Sequence, residues 1–301
     1  MRQLVLIHGR SQEKKDARAL KAEWLEALGE GLAKNGLELP IAESDVRFPF
    51  YGDTLYQMSG GVPAEAAAEV IVRGTDGDAE AQRFTRAVME EIRTQAGITE
   101  AQLAEVAGQD VVQRGPQNWE WFQAILTAID RHVPFGSGTS IALFTNDVYQ
   151  YLKNRAVRDT IDAGVSAAIK PGVETVVVSH SLGTVVAYNL LRHFGHVRAW
   201  KIPLFVTVGS PLAISEIRRT LKQEASTRCP ECADRWYNAM DERDVVALYR
   251  LDTNHFPIAP PDPAIENNFA VRNKTRNRHG IAGYLDDADV AKRIHAALVG
   301  G

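Results

Sequence analysis

Cysteine is scarce in this chain: Cys229 and Cys232 are the only two in 301 residues. So few exclude a disulfide-dense scaffold and fit a reducing compartment. They form one Cys-x-x-Cys. A structural zinc needs four ligands and no second pair exists, so no metal is expected. Long apolar runs are also missing. None approaches the ~20 residues that cross a bilayer, so no transmembrane segment is predicted. The start, MRQLVLIHGR, has only four apolar residues in its run before His8, too few for a signal-peptide core. A cytoplasmic protein is the expectation. A basic excess is absent too: the net charge is −4, which leaves no footprint for nucleic acid. The glycine-spaced GEGLAKNG (29–36) lies in and after a helical pattern, so it is no dinucleotide loop. There is no internal repeat and no low-complexity tract.

What is present is a globular composition, 45% hydrophobic and 24% charged, long enough to bury a large core. Short apolar strands alternate with helices as in a mostly parallel, doubly wound sheet. LVLI (4–7), DVRFPFYGD (45–53), TVVVS (175–179), PLFVTVGSP (203–211), a piece of RWYNAMDERDVVAL (235–248) and NNFAVRN (267–273) read as strands. Residues 17–34, 148–169 and 286–298 read as helices. The segment 55–140 breaks this rhythm, so the chain is read as one α/β domain, 1–301, with a helical insertion at 55–140.

The chemistry centres on TVVVSHSLGTVVAYNLL (175–191), where a buried strand runs into Ser-His-Ser-Leu-Gly and then a helix. Serines are common in turns, but Ser181 stands at the centre of Ser-x-Ser-x-Gly between strand and helix. This resembles the nucleophile elbow of the α/β-hydrolase superfamily, usually Gly-x-Ser-x-Gly. Gly183 fits the second flank; Ser179 departs from the first but is small. The resemblance implies an α/β-hydrolase fold with Ser181 as nucleophile and an acid and a histidine base following in that order.

Five histidines follow Ser181. His193 and His196 end the elbow helix, His295 lies inside the last helix, and His255 is 11 residues beyond Asp244. His279 falls in a loop between a late strand and the final helix, where the base belongs. NAMDERDVVALY resembles the Asn-x-x-Asp-x-x-Asp-x-Val-Ala segment of lipase-like and GPI-inositol-deacylase-like members. That match implies Asp244 as the acid, with Asp241 as the alternative and Asp252 and Asp262 as weaker ones. His-Gly after the first strand resembles the family's oxyanion loop, implying backbone N–H donors from Leu182 and Arg10; His8 is read as structural.

The resemblance implies serine-dependent hydrolysis of a carboxylic ester on a small-molecule or lipid-like acyl substrate, with no cofactor. Peptide or thioester hydrolysis by the same triad is the alternative, and a silent scaffold binding a partner is the third reading. The insertion is expected either to pack as a plain helical subdomain or to cap the site. As a cap, its Trp119, Trp121 and Phe122 would form an acyl-binding wall, and MSGGVP (58–63) and FGSGTS (135–140) would act as hinges.

Overall fold

The computed structural model describes residues 2–9, 16–53, 78–115, 119–134, 136–259 and 263–300. Six strands form one sheet: β1 (Gln3–Ile7), β2 (Val46–Arg47), β3 (Thr175–His180), β4 (Phe205–Val208), β5 (Trp236–Ala239) and β6 (Glu266–Asn268). Their order is β2-β1-β3-β4-β5-β6 and every neighbouring pair is parallel. All carboxyl ends therefore point the same way, and the loops after β1, β3, β5 and β6 converge on one edge.

The four central strands β1, β3, β4 and β5 are buried on both faces, which is why β1 and β3 read as unbroken apolar runs. Alternate side chains feed two cores. Val5, Ile7, Val177, Phe205 and Trp236 point to one. Leu4, Leu6, Val176, Val178, Val206, Val208 and Tyr237 point to the other. The second face is covered by α1 (Ala17–Ala33), α10 (Ala282–Leu285) and α11 (Ala288–Val299). Helix α1 opens on Asp16, whose carboxylate accepts from the Arg18 and Ala19 N–H groups; α11 opens on Asp287 in the same way.

The first face carries α2 (Ala79–Gln95), α3 (Glu100–Ala107), α4 (Gln109–Arg114), α5 (Trp119–His132), α6 (Gly138–Lys153), α7 (Arg155–Ser166), α8 (Leu182–Phe194) and α9 (Ser215–Glu224). Strands β2 and β6 are shorter than the expected 45–53 and 267–273, and two helical boundaries differ from the sequence reading as well. The expected helix 148–169 is two helices, because the Asn154 side chain caps α7 by accepting from Ala156 and Val157 N–H. The expected end of the insertion at 140 falls inside α6. Ser137 caps that helix, and a Cβ on Gly138 would lie 2.5 Å from the Leu126 carbonyl oxygen. The described part of FGSGTS is thus a packed helix start, not a hinge; MSGGVP lies outside the described residues.

Helices α2, α3, α5 and α6 are not a separate flap. Phe84, Val88, Ile92, Leu103, Ile125 and Ile129 are fully buried and share one core with Val5, Ile7, Val177 and Leu182. Burying each such side chain contributes about 1.5–3 kcal/mol.

Candidate active site

Ser181 sits between β3 and α8 with φ 55° and ψ −128°. For a non-glycine residue this costs ~1–3 kcal/mol and persists only where the surroundings impose it. They do so here. Ser181 N–H donates to the Val208 carbonyl (3.2 Å). Thr184 Oγ1 donates to the Ser181 carbonyl (2.7 Å). A Cβ on Gly183 would lie 2.5 Å from the carbonyl oxygens of Ile7 and His8, so only glycine fits there. Ser179 is accommodated at the other flank because its hydroxyl donates to the Val206 carbonyl (3.0 Å) inside the sheet.

From the turn, Ser181 Oγ lies 2.8 Å from His279 Nε2. His279 Nδ1 lies 2.7 Å from Asp244 Oδ2. A carboxylate can only accept, so Nδ1 carries the proton and Nε2 presents its lone pair to the Ser181 hydroxyl. The three come from the loops after β3, β5 and β6. Asp244 is fully buried while the His279 side chain is 16% exposed, so the histidine is the member that faces solvent. Asp244 Oδ1 accepts from Val246 N–H (2.9 Å), and Oδ2 accepts a second bond from the Tyr284 hydroxyl (2.6 Å).

Two residues not singled out from the sequence complete this geometry. His180 Nε2 donates to the His279 carbonyl (2.7 Å), and its ring lies 4.7 Å from the His279 ring. Burial, and then the neighbouring His279, hold His180 well below the ordinary histidine range, so it is a neutral strut. Tyr284 is fully buried and accepts Asp241 N–H (3.3 Å) while donating to Asp244. His180 is legible only in that it adjoins Ser181. Tyr284 carries no local signal, because its role depends on where α10 docks.

Of the two aspartates in DERD, Asp244 meets His279 and Asp241 does not. Asp241 forms a bidentate pair with Arg243 and accepts Asn273 N–H (2.8 Å). Burial disfavours its charge, yet the Arg243 side chain and these backbone donors hold its carboxyl below the ordinary value. It ties the β5 loop to the β6 loop. Asp252 bonds His255 Nδ1 (2.9 Å), away from the serine; Asp262 lies outside the described residues.

Leu182 N–H opens α8 and has no acceptor within the helix. The loop after β1 passes over the serine: a Cβ on Gly9 would lie 2.8 Å from Ser181 Cβ. Arg10 lies outside the described residues. His8 Nδ1 bonds the Gly9 carbonyl (2.6 Å) and Nε2 accepts Tyr51 N–H (3.1 Å), so both nitrogens are used in shaping this loop.

The α5–α6 corner faces the loop that carries His279. A cavity of about 700 Å³ between them is lined by Asp130, Gly136, Ser137, Ser140, Arg276 and Asn277. Asn277 Oδ1 accepts His279 N–H (3.2 Å), which fixes that wall beside the histidine. The cavity is polar. Trp121 and Phe122, expected to line an acyl wall, are 4% and 7% exposed, pack into the core and do not line it; the Trp119 side chain lies outside the described residues. Cys229 and Cys232 form no disulfide, and burial pushes Cys232 up to about 12, out of reactive range. Among the described residues no cluster of three or more His, Cys, Asp or Glu side chains could hold a metal, and no helix is long and apolar enough to cross a membrane.

Comparison with models of known families, with curated proteins and with solved structures gives no significant match.

Proposed function

We propose that this chain is a serine hydrolase of the α/β-hydrolase type that cleaves a carboxylic ester through Ser181, His279 and Asp244. The single observation that carries the reading is the unbroken relay from Asp244 Oδ2 to His279 Nδ1 and from Nε2 to Ser181 Oγ, at 2.7 and 2.8 Å, ending on a serine strained at the tip of β3. The all-parallel sheet and the order serine, aspartate, histidine along the chain support the same type.

Ser181 Oγ attacks the acyl carbon while its proton passes to His279 Nε2; the carbonyl π pair moves onto oxygen. Asp244 stabilises the resulting imidazolium without taking its proton. The oxyanion is met by Leu182 N–H and, on the resemblance, by Arg10 N–H, each donor contributing ~10²–10³-fold. Collapse of the intermediate breaks the acyl C–O bond, and the departing alcohol takes the proton from Nε2. Water then repeats the sequence on the acyl-enzyme, with His279 as base. The strained Ser181 backbone turns Oγ away from the helix and toward His279 Nε2.

A fluorophosphonate probe tests this directly. Labelling is expected on wild type and lost in Ser181→Ala with the fold intact by circular dichroism. Labelling retained in that variant, or absent from wild type, rejects the assignment. An ester, thioester and peptide panel then decides which acyl bond is cleaved fastest.

A further inference from the structure

Four cations stand in seven residues just before the proposed base: Arg272, Lys274, Arg276 and Arg278, in RNKTRNR. With Arg243, Asn273 and Thr275 they line a cavity of about 390 Å³ that contains no acidic side chain. Asp241 occupies Arg243 from beneath. Arg272, Lys274 and Arg276 are exposed and make no ion pair among the described residues. In a chain of net charge −4, this concentration is local. A solvated charged face would leave such side chains on a loose loop, and this loop is not loose. Asn273 Oδ1 accepts Thr275 N–H (3.0 Å), and Asn273 Nδ2 donates to the Gly280 carbonyl (2.8 Å). Gly280 N–H donates to Thr275 Oγ1 (2.9 Å), and Arg278 is held at φ 54°. The held backbone thus gathers like charges around one pocket, which costs free energy unless an anion joins them.

Arg276 also lines the 700 Å³ cavity, whose wall at Asn277 accepts the His279 N–H, so the two cavities meet on the loop that carries the proposed base. On the far side of that space Asp130 is already engaged, its Oδ1 accepting Gly138 N–H (2.9 Å). One guanidinium fork saturates a carboxylate. Several guanidinium and ammonium donors around one pocket match the three oxygens and double charge of a phosphate.

The geometry points to a phosphate-recognition site on Lys274, Arg276 and their neighbours, so that the ester cleaved at Ser181 belongs to a phosphate-bearing molecule. The inference rests on the serine-hydrolase reading. The phosphate keeps all its bonds: water adds hydroxyl to the acyl carbon and hydrogen to the alcohol oxygen. The same chemistry is offered by a soluble phosphoester and by a phospholipid headgroup.

The test uses the full chain and two substrates with one acyl group, 1-butyrylglycerol and 1-butyrylglycerol 3-phosphate. A kcat/KM at least ~10-fold higher is expected for the phosphate ester, mainly through KM, since each charge-assisted bond lost is worth about a tenfold change or more. In Lys274→Gln/Arg276→Gln the ratio of the two values is expected to fall ~10-fold. Vesicles of phosphatidylcholine with and without phosphatidic acid form a second arm. Cleavage stimulated by phosphatidic acid, and reduced by the double substitution, supports recognition of a lipid-borne phosphate; a preference confined to the soluble ester supports a soluble one. A ratio near one in wild type with no vesicle effect, or a ratio unmoved by the double substitution, overturns the site. Calorimetry of inorganic phosphate with Ser181→Ala protein separates the two readings. Binding that the double substitution weakens, with no ester cleaved by wild type, rejects the hydrolase reading and keeps the site; cleavage without binding or preference does the reverse.

Discussion

Along 78–153, Asp78, Thr99 and Ser137 cap helices with their side chains, and each helix turns an apolar stripe inward. At the carboxyl edge of the sheet the pattern reverses. Ser181 and Arg278 sit at positive φ, and Ser181, Asp241, Asp244 and Asn273 are polar yet buried. The helical region follows local propensity and gains stability from packing. The edge breaks local rules and holds together only because its polar groups satisfy one another: Asp241 with Arg243 and Asn273, Asp244 with His279 and Tyr284. Local inconsistency of this kind concentrates at functional sites. Substitutions in the two regions should therefore fail differently, one in activity and the other in stability.

The largest separation is expected at the edge. Ser181→Ala or His279→Ala should each lower turnover ~10⁴–10⁶-fold with little change in melting temperature, and combining them should add little, because the residues act as a unit. Asp244→Asn should cost ~10⁴-fold by inverting the imidazole tautomer. Asp241→Asn should instead lower the melting temperature and cost less activity. Steady-state kinetics beside thermal melts check this; a greater activity loss in Asp241→Asn would mean that Asp241, not Asp244, serves the histidine.

In the helical region the expectation is the converse. Trp121→Ala should destabilise by about 3–5 kcal/mol, as for a large core side chain, and reduce turnover on short and long acyl esters equally. A changed chain-length preference without a lower melting temperature would restore Trp121 to the acyl wall that the sequence suggests.

Acid sharpens the contrast at a smaller scale. Burial holds the His8 imidazole at about 4, far below its ordinary 6.5, and His180 shifts the same way. The unfolded chain takes up these protons first, so stability is full above pH 6.5 and falls as pH drops toward 4, by about 3 kcal/mol for His8. In the helical region, burial raises the Asp162 carboxyl to about 6. Its sign is opposite: the folded state binds that proton first, so acidification from pH 6 to 4 relieves a penalty. Melting temperatures from pH 7 to 4 should fall, and more steeply in Asp162→Asn. A shallower fall in that variant would contradict the sign.

The smallest effect belongs to Tyr284→Phe. It removes one of two bonds to Asp244 Oδ2, and the loss of a bond to a charged group predicts a ~10-fold lower kcat together with a shifted pH–rate profile. A lower melting temperature with an unmoved profile would reduce Tyr284 to packing.

What was legible in the sequence follows the same division. β1 and β3 announce themselves because strands buried on both faces need unbroken apolar runs, and Ser181 because only a small-residue turn fits between such a strand and a helix. The chain order of motifs points to Asp244 and His279, and the fold brings His279 within hydrogen-bond reach of both Asp244 and Ser181. The break at Asn154 was readable as a cap but was overridden by the apolar periodicity on both sides. β6 is only three residues long: past its end the Asn268 side chain accepts Ala270 N–H, a local turn contact that no alternation pattern encodes. Tyr284 and His180 were invisible because their partners lie 40 and 99 residues away.

The register of the central strands has a kinetic consequence. Gln3 pairs with Thr175 and Ile7 with Ser179, so each pair spans 172 positions, with the helical segment between. At ribosomal rates of about 5–20 residues per second, β1 waits roughly 10–35 s for its partner. Throughout that interval the edge of Leu-Val-Leu-Ile that β3 will cover is open, since the two-residue β2 pairs only on the other side. An uncharged apolar strand with an open edge is the kind of segment that templates aggregation. Ring-closure entropy for such a span is unfavourable until much of the intervening chain has compacted. Early compaction of helices α2 to α6 would shorten the effective loop, so substitutions there are expected to slow refolding as well as weaken the fold, which stopped-flow refolding rates check.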